Sequence, residues 1–171
     1  MRRALVTAAF ALGLAGCGYG LVGTSKGWLP ENVRTVWVPA FVNDTNVVGL
    51  EQRLTGAVLR ELSARRRLTP ASSLELADAL LVGRVTSYSL QPVQFDAQGR
   101  ATEYQVMVMA RITLTDRKTD KVLFDDPAFL FRQPYPVPVQ TSTYFNPELL
   151  AIDQLAQPFA RSVVATILEG F

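Results

Sequence analysis

The chain contains no histidine and a single cysteine, and no apolar run approaches the 18 residues that a membrane-crossing helix needs. Without imidazole there is no Ser-His or Cys-His nucleophile pair, no general base that titrates near neutral pH and no His-containing zinc site. One cysteine cannot form an intrachain disulfide. Excess charge is missing too. Of the 17 basic residues, Arg2 and Arg3 lie in a leader-like segment, which leaves 15 against 15 acidic residues. A chain-wide basic footprint for nucleic acid is therefore absent, and no nucleic-acid partner is expected.

What is present begins at the N-terminus. Met1-Arg2-Arg3 is a short positive region, and Ala4 to Gly13 is an apolar run of ten residues. Ten residues cannot cross about 30 Å of hydrocarbon, so the run reads as the core of an export signal. Leu14-Ala15-Gly16-Cys17 follows and resembles the lipobox of bacterial lipoproteins, in which small residues admit the processing enzyme and the cysteine becomes the acylated N-terminus. The alternative is an ordinary secretory signal with a chance cysteine. On the lipoprotein reading, residues 1–16 are removed and Cys17 carries the lipid, with palmitate-type chains each adding about 0.8 kcal/mol per buried methylene. Gly18, where an Asp in lipoproteins often signals inner-membrane retention, favours the outer membrane. That leaves 155 residues, enough for one domain that buries roughly 70% of its unfolded surface. The expected division is a lipidated N-terminus and tether over 17–33, whose glycine-rich part has no periodicity, and a single α+β domain over 34–171.

Thr35-Val36-Trp37-Val38 is β-branched and aromatic, with Pro39 at its end. Asn43-Asp44-Thr45-Asn46 reads as a turn able to cap a helix. Val47, Leu50, Leu54, Val58 and Leu62 recur at three- and four-residue steps, an amphipathic helix that ends near Arg65, with Glu51, Arg53, Arg60 and Glu61 off its stripe. There is room for a short strand at Leu68 and Thr69; paired beside the first, it would close a right-handed β-α-β unit. Ala79 to Tyr88 is dense in strand formers, and Gly83 within it is suited to close approach of a helix or backbone. After the loop Asp96 to Gly99 comes the clearest alternation: Tyr104, Val106, Val108, Ala110, Ile112 and Leu114 on one face, and Glu103, Gln105, Met107, Met109, Arg111, Thr113 and Thr115 on the other. A polar turn, Asp116 to Asp120, leads into a partner strand from Lys121 through Phe131, bent or bulged at Pro127. Pro134, Pro136 and Pro138 predict an extended loop over 134–145. Asn146 and Pro147 suit the start of a second helix whose stripe is Leu149, Ile152, Leu155, Ala156, Phe159, Val163 and Ile167, with Pro158 expected to kink or divide it.

The predicted order is β-α-(β)-β-β-β-α: a mainly antiparallel sheet of four to five strands with two helices packed on one face. The other face, with Met107, Met109 and either Phe129 or Phe131, is more apolar than contact with water alone would select.

Chemistry-bearing constellations are scarce. Asp125 and Asp126 are adjacent and point to opposite faces of a strand, a poor arrangement for shared acid/base work. No phosphate-cradling Gly-rich loop, metal-ligand spacing or nucleophile elbow occurs, so no catalytic residue, cofactor or metal is expected. Arg65-Arg66-Arg67 reads as solvated charge that complements a helix C-terminus, or as a phosphate-binding patch. Arg100, Arg111, Lys118, Lys121 and Arg132 lie on or beside the long hairpin and could converge if they share a face.

Cys17-Gly18-Tyr19-Gly20-Leu21 after the lipobox, Val38-Pro39-Ala40-Phe41-Val42-Asn43, Ala77 to Gly83, and Gly99-Arg100-Ala101-Thr102-Glu103-Tyr104-Gln105-Val106, in that order, resemble the lipopolysaccharide-assembly lipoproteins, the LptE family. The resemblance spans the mature chain. It implies a non-enzymatic outer-membrane lipoprotein that plugs the lumen of a large β-barrel, LptD, and assists both barrel assembly and delivery of lipopolysaccharide to the outer leaflet. It also implies that basic side chains near the hairpin engage the glycolipid; Arg100 and Arg132 are the first candidates, followed by Arg111, Lys118 and Lys121. The alternative, from a different class of function, is a lipid-anchored scaffold of another envelope export or secretion assembly.

Overall fold

The computed structural model describes residues 29–136 and 147–170, with side chains for all but 147–150. The export segment, Cys17, Pro138, the Asn146 cap and the Leu149 side chain lie outside the described residues. The elements are β1 (Thr35–Trp37), β2 (Val42–Asn43), α1 (Leu50–Arg65), β3 (Thr69–Pro70), β4 (Ala79–Phe95), β5 (Ala101–Asp116), β6 (Val122–Pro136) and α2 (Pro147–Glu169).

They build one six-stranded sheet in the order β3-β1-β4-β5-β6, with β2 paired to β4 beyond the end of β1. The fold is α+β as expected, but the sheet is mixed. The pairs β1–β3, β1–β4 and β2–β4 are parallel, and only β4–β5–β6 is antiparallel. The short strand after α1 exists and lies beside β1, with Thr35 opposite Thr69. Strand β2 was not foreseen. Asn43 ends it instead of capping α1, whose N-cap is Gly49 in the left-handed region with no side-chain cap bond. The Asn43 side chain instead stitches the following loop, donating to the Val47 carbonyl and to Glu51 Oε2 at 2.8 Å each.

Alternation in β5 sorts the two sides of the sheet. Val106, Val108, Ala110, Ile112 and Leu114 are all buried, and they meet the stripes of both helices in one cluster: Leu50, Leu54, Val58 and Leu62 from α1, and Ile152, Leu155, Phe159, Val163 and Ile167 from α2. Phe129 and Phe131 face inward as well, because they stand opposite Ala110 and Val108, so neither belongs to the outer face. Each meets Phe159 edge-on at a centroid distance of 5.7 Å, and such pairs add about 0.5–1.5 kcal/mol each beyond burial. Glu61, expected off the α1 stripe, is also buried. It lies at the helix–helix contact, where Arg65 Nε donates to Oε1 at 2.8 Å and Gln157 Nε2 to Oε2 at 3.0 Å.

Pro134 and Pro136, expected to open a loop, extend β6 instead. Pro92 in β4 and Pro134 and Pro136 in β6 all lie in strands, with Pro134 opposite Gln105 and Pro136 opposite Glu103, so the loop expected from residue 134 begins later. Both strands flank β5, and among the described residues each keeps one edge free there, so a missing N–H disrupts no ladder on that edge. Pro158 does not divide α2, which is continuous from Pro147 to Glu169. The bulge at Pro127 is present: Pro127 and Ala128 together oppose Arg111, between the pairs Ile112–Asp126 and Ala110–Phe129.

The proximal end is tied by Asp78. Its Oδ2 accepts the N–H groups of Arg34 and Thr35 and the Thr35 hydroxyl, while Oδ1 accepts Lys118 Nζ. These bonds, the Arg34 N–H foremost, hold the carboxyl far below its ordinary value of 3.8. A group depressed in this way stabilises the fold fully at neutral pH and less as the pH falls below that ordinary value. Asp78→Asn therefore lowers the denaturation midpoint at neutral pH, and the gap to the parent protein shrinks as pH drops from about 5 toward about 2; urea melts across that range measure it.

Gly83 is approached by a ring, where a helix or backbone had been expected. A Cβ there would sit 2.5–2.6 Å from three atoms of the buried Phe41 ring. Gly83→Ala should cost about 1–3 kcal/mol by displacing Phe41, read as a fall in melting temperature.

Candidate outer-face binding surface

The helices leave the second side of β4–β5–β6 uncovered. Along β5 that side carries Gln105, Met107, Met109, Arg111, Thr113 and Thr115. Cross-strand pairing adds Ser89, Ser87, Arg84 and Val82 from β4, and Arg132, Leu130 and Asp125 from β6. Met109 and Leu130 are exposed and with Met107 form an apolar strip over the middle of the face; Val82, also exposed, lies beyond the Arg84–Arg111 row.

Of the five cations singled out from the sequence, two share this face. Arg111 stands in the middle of β5, opposite the β6 bulge, and Arg132 stands opposite Met107. Among the described residues neither makes an ion pair. The others are elsewhere. Arg100 lies at the β4–β5 turn, where its Nε meets Asp96 Oδ2 at 2.7 Å. Asp96 is held below the ordinary carboxylate value first by the Arg100 backbone N–H, and Gly99 takes φ 74° to close this turn. Lys118 sits in the opposite, β5–β6 turn and pairs with Asp78 at 3.1 Å; Lys121 is exposed beside it. Sixteen residues of β5 separate the two turns, roughly 50 Å, so the five do not converge.

Sequence reasoning missed Arg84. It is the direct cross-strand partner of Arg111, a like-charge pairing that is normally unfavourable. Asp44 offsets it: Arg84 Nη1 donates to Oδ1 at 2.8 Å and to Oδ2 at 3.0 Å. Only the tertiary register could reveal this, since the three residues are 27 or more positions apart.

The Arg65-Arg66-Arg67 run is divided. Arg65 holds Glu61, and Arg67 donates from Nη1 to the Val33 carbonyl at 3.1 Å and from Nη2 to the Leu29 carbonyl at 3.2 Å. Arg67 thereby fastens the segment read as tether, which is packed from Leu29 onward, with Leu29 and Val33 in the core. Arg66 caps α1 in the left-handed region. Asp125 and Asp126 pair with Thr113 and Ile112, on opposite faces, so they form no shared acid/base site. Among the described residues no group of three potential ligands could hold a metal ion, and no helix is long and apolar enough to cross a membrane.

A model of the LptE family, described as lipopolysaccharide-assembly, matches residues 33–167. The chain belongs to the LptE family. No curated protein matches it at a significant level. Solved structures share the fold at low identity. Protein XCC0632 of Xanthomonas campestris has a TM-score of 0.54 at 14% identity, covering 82% of this chain and 88% of its own. The hypothetical protein CT253 of Chlamydia trachomatis has 0.53 at 10%, covering 81% and 97%. The PelC dodecamer of Paraburkholderia phytofirmans has 0.50 at 14%, covering 82% and 90%.

Arg67→Ala in this LptE-family chain should cost about 1–3 kcal/mol, because two carbonyls lose a charged donor, whereas Arg66→Ala should change stability by less than about 0.5 kcal/mol. Chemical denaturation of the two variants side by side checks the contrast.

Proposed function

We propose that the protein is an outer-membrane lipoprotein, anchored through acylated Cys17, that sits as a non-enzymatic plug in the lumen of the LptD β-barrel and assists barrel assembly and lipopolysaccharide delivery to the outer leaflet. Family membership over residues 33–167 carries this reading. Two features of the chain support it. The lipobox-like Leu14 to Cys17 would supply an anchor, and among the described residues the helices cover one side of the sheet and leave the other, with Met107, Met109, Leu130, Arg111 and Arg132, for a partner or cargo. Such a body works by occupying space and offering surfaces.

Affinity capture of the full-length protein from detergent-solubilised outer membranes should recover a large β-barrel in roughly one-to-one ratio. Recovery of the lipoprotein alone would overturn the reading. Depletion should leave glycolipid accumulating at the inner membrane, an outcome that a scaffold of a different export assembly would not produce. Cys17→Ala should abolish acylation and release the protein from the membrane fraction.

A further inference from the structure

The chain enters the described domain at Leu29, and the residues tied to that point form one end of the sheet. Arg67 holds the Leu29 and Val33 carbonyls, and Asp78 joins Arg34 and Thr35 to the start of β4. The Arg117 backbone N–H donates to the Asp78 carbonyl at 2.9 Å, which adds the β5–β6 turn to the same end. The β4–β5 turn lies at the other end, roughly 50 Å away along β5.

Two exposed apolar side chains stand at the entry end. Leu76 is 68% exposed, and Val122, opposite Thr115 at the start of β6, is 53% exposed. The backbone that carries Leu76 is braced on both sides. Arg117 Nη1 donates to the Leu74 and Ala77 carbonyls, and the Leu76 carbonyl accepts the Thr35 hydroxyl at 3.2 Å. A single exposed leucine is ordinary on a protein surface. Here the surrounding bonds hold the loop in place while leaving the side chain outside the core, a presentation that costs little further ordering when the side chain is covered.

What covers it follows from where the anchor lies. Residues 18–28, eleven in all, separate Cys17 from Leu29, and their full contour is no more than about 40 Å. That is shorter than the span of β5, so acylation at Cys17 keeps the entry end close to the bilayer. A tethered surface meets its target at an effective concentration in the millimolar range, where a weak contact is populated. Charges of both signs are interspersed at this end, with Arg66, Lys118 and Lys121 exposed among Glu31, Glu75 and Asp120. No strong field of one sign forms, so the contact is apolar and has little dependence on headgroup charge.

We propose that the entry end is a membrane-contact surface, in which the braced Leu76 enters the headgroup boundary of the leaflet that carries the Cys17 anchor, Val122 lies shallower beside it, and the β4–β5 arm stands away from the bilayer. The proposal rests on the reading of Cys17 as acylated and goes beyond it: the lipid fixes which membrane the protein meets, and Leu76 fixes which way up it stands there.

The test uses the full-length acylated protein in phosphatidylcholine vesicles that contain a nitroxide-labelled lipid. Acylated Cys17 offers no free thiol, so a fluorophore can be placed singly by Leu76→Cys, Val122→Cys, Val48→Cys or Gln98→Cys. Val48 is the control for exposure, being 92% exposed in the loop before α1, and Gln98 marks the far turn. The label at position 76 should be quenched about threefold more strongly than those at 48 and 98, with 122 intermediate and all values unchanged in high salt. Leu76→Glu should reduce quenching at 122 to the level at 98, with an unaltered melting curve and the protein still in the membrane fraction. Equal quenching at 76, 48 and 98 overturns the surface, as does quenching at 76 that needs an anionic lipid or disappears in salt. Quenching at 122 that ignores Leu76→Glu overturns the role of Leu76. A label at 76 that is shielded only when a β-barrel co-purifies assigns this end to the barrel and overturns the membrane contact. Mass measurement separates the two readings: a chain without acyl groups removes the anchor and this inference together, whereas an acylated chain with uniform quenching removes this inference alone.

Discussion

The period-two alternation of β5 is the constraint on which the other features depend. Five consecutive inward positions from Val106 to Leu114 are buried, and a slip of one residue in either ladder would exchange them for Met107, Met109, Arg111 and Thr113. Burial of Arg111 without a partner would be costly enough to exclude that register. Because the inward set is fixed, both helices must lie on that side, and the arginines and methionines must lie on the other. The open face is thus a direct consequence of how the core is made.

The parallel strands β1, β2 and β3 and helix α1 complete the proximal half, and they are joined to the antiparallel half by polar bonds at its margin. Asp78 fastens the start of β4 to β1 and to the β5–β6 turn. Arg67 fastens the chain entering at Leu29 to the end of α1. These charged groups are engaged within the fold: Lys118 is held by Asp78, and Arg67 by two backbone carbonyls. The distal part of β4–β5–β6 runs past β2 as a three-stranded arm, with prolines confined to its outer strands and none in β5. That placement limits edge-to-edge pairing with other chains while leaving the central ladder intact.

The two sides of the sheet thus differ in character. Among the described residues, the face of β4–β5–β6 that the helices leave uncovered carries Met107, Met109 and Leu130 between Arg111 and Arg132. Membership of the lipopolysaccharide-assembly family gives that surface its context, and Asp44 offsets the charge of Arg84, which stands across from Arg111.

Periodicity in the sequence was sufficient for α1, the α2 stripe, the β5 faces, the β5–β6 hairpin and the bulge at Pro127, because each is dictated by local spacing and side-chain chemistry. Composition alone excluded imidazole chemistry, and the ordered segments from Cys17 to Val106 carried the family. Tertiary structure decided the rest. Short strands such as β2 have too few residues to show a pattern, and whether a proline is tolerated depends on which strand edge faces solvent. Phe129 and Phe131 took the inner side because the β6 bulge reset their phase relative to the preceding strand. The separation of Arg111 and Arg132 from Arg100 and Lys118, and the pairing of Arg84 with Asp44, depend on cross-strand register and on which acid lies within reach. Both are properties of neighbours distant in the chain, so no local signal could encode them.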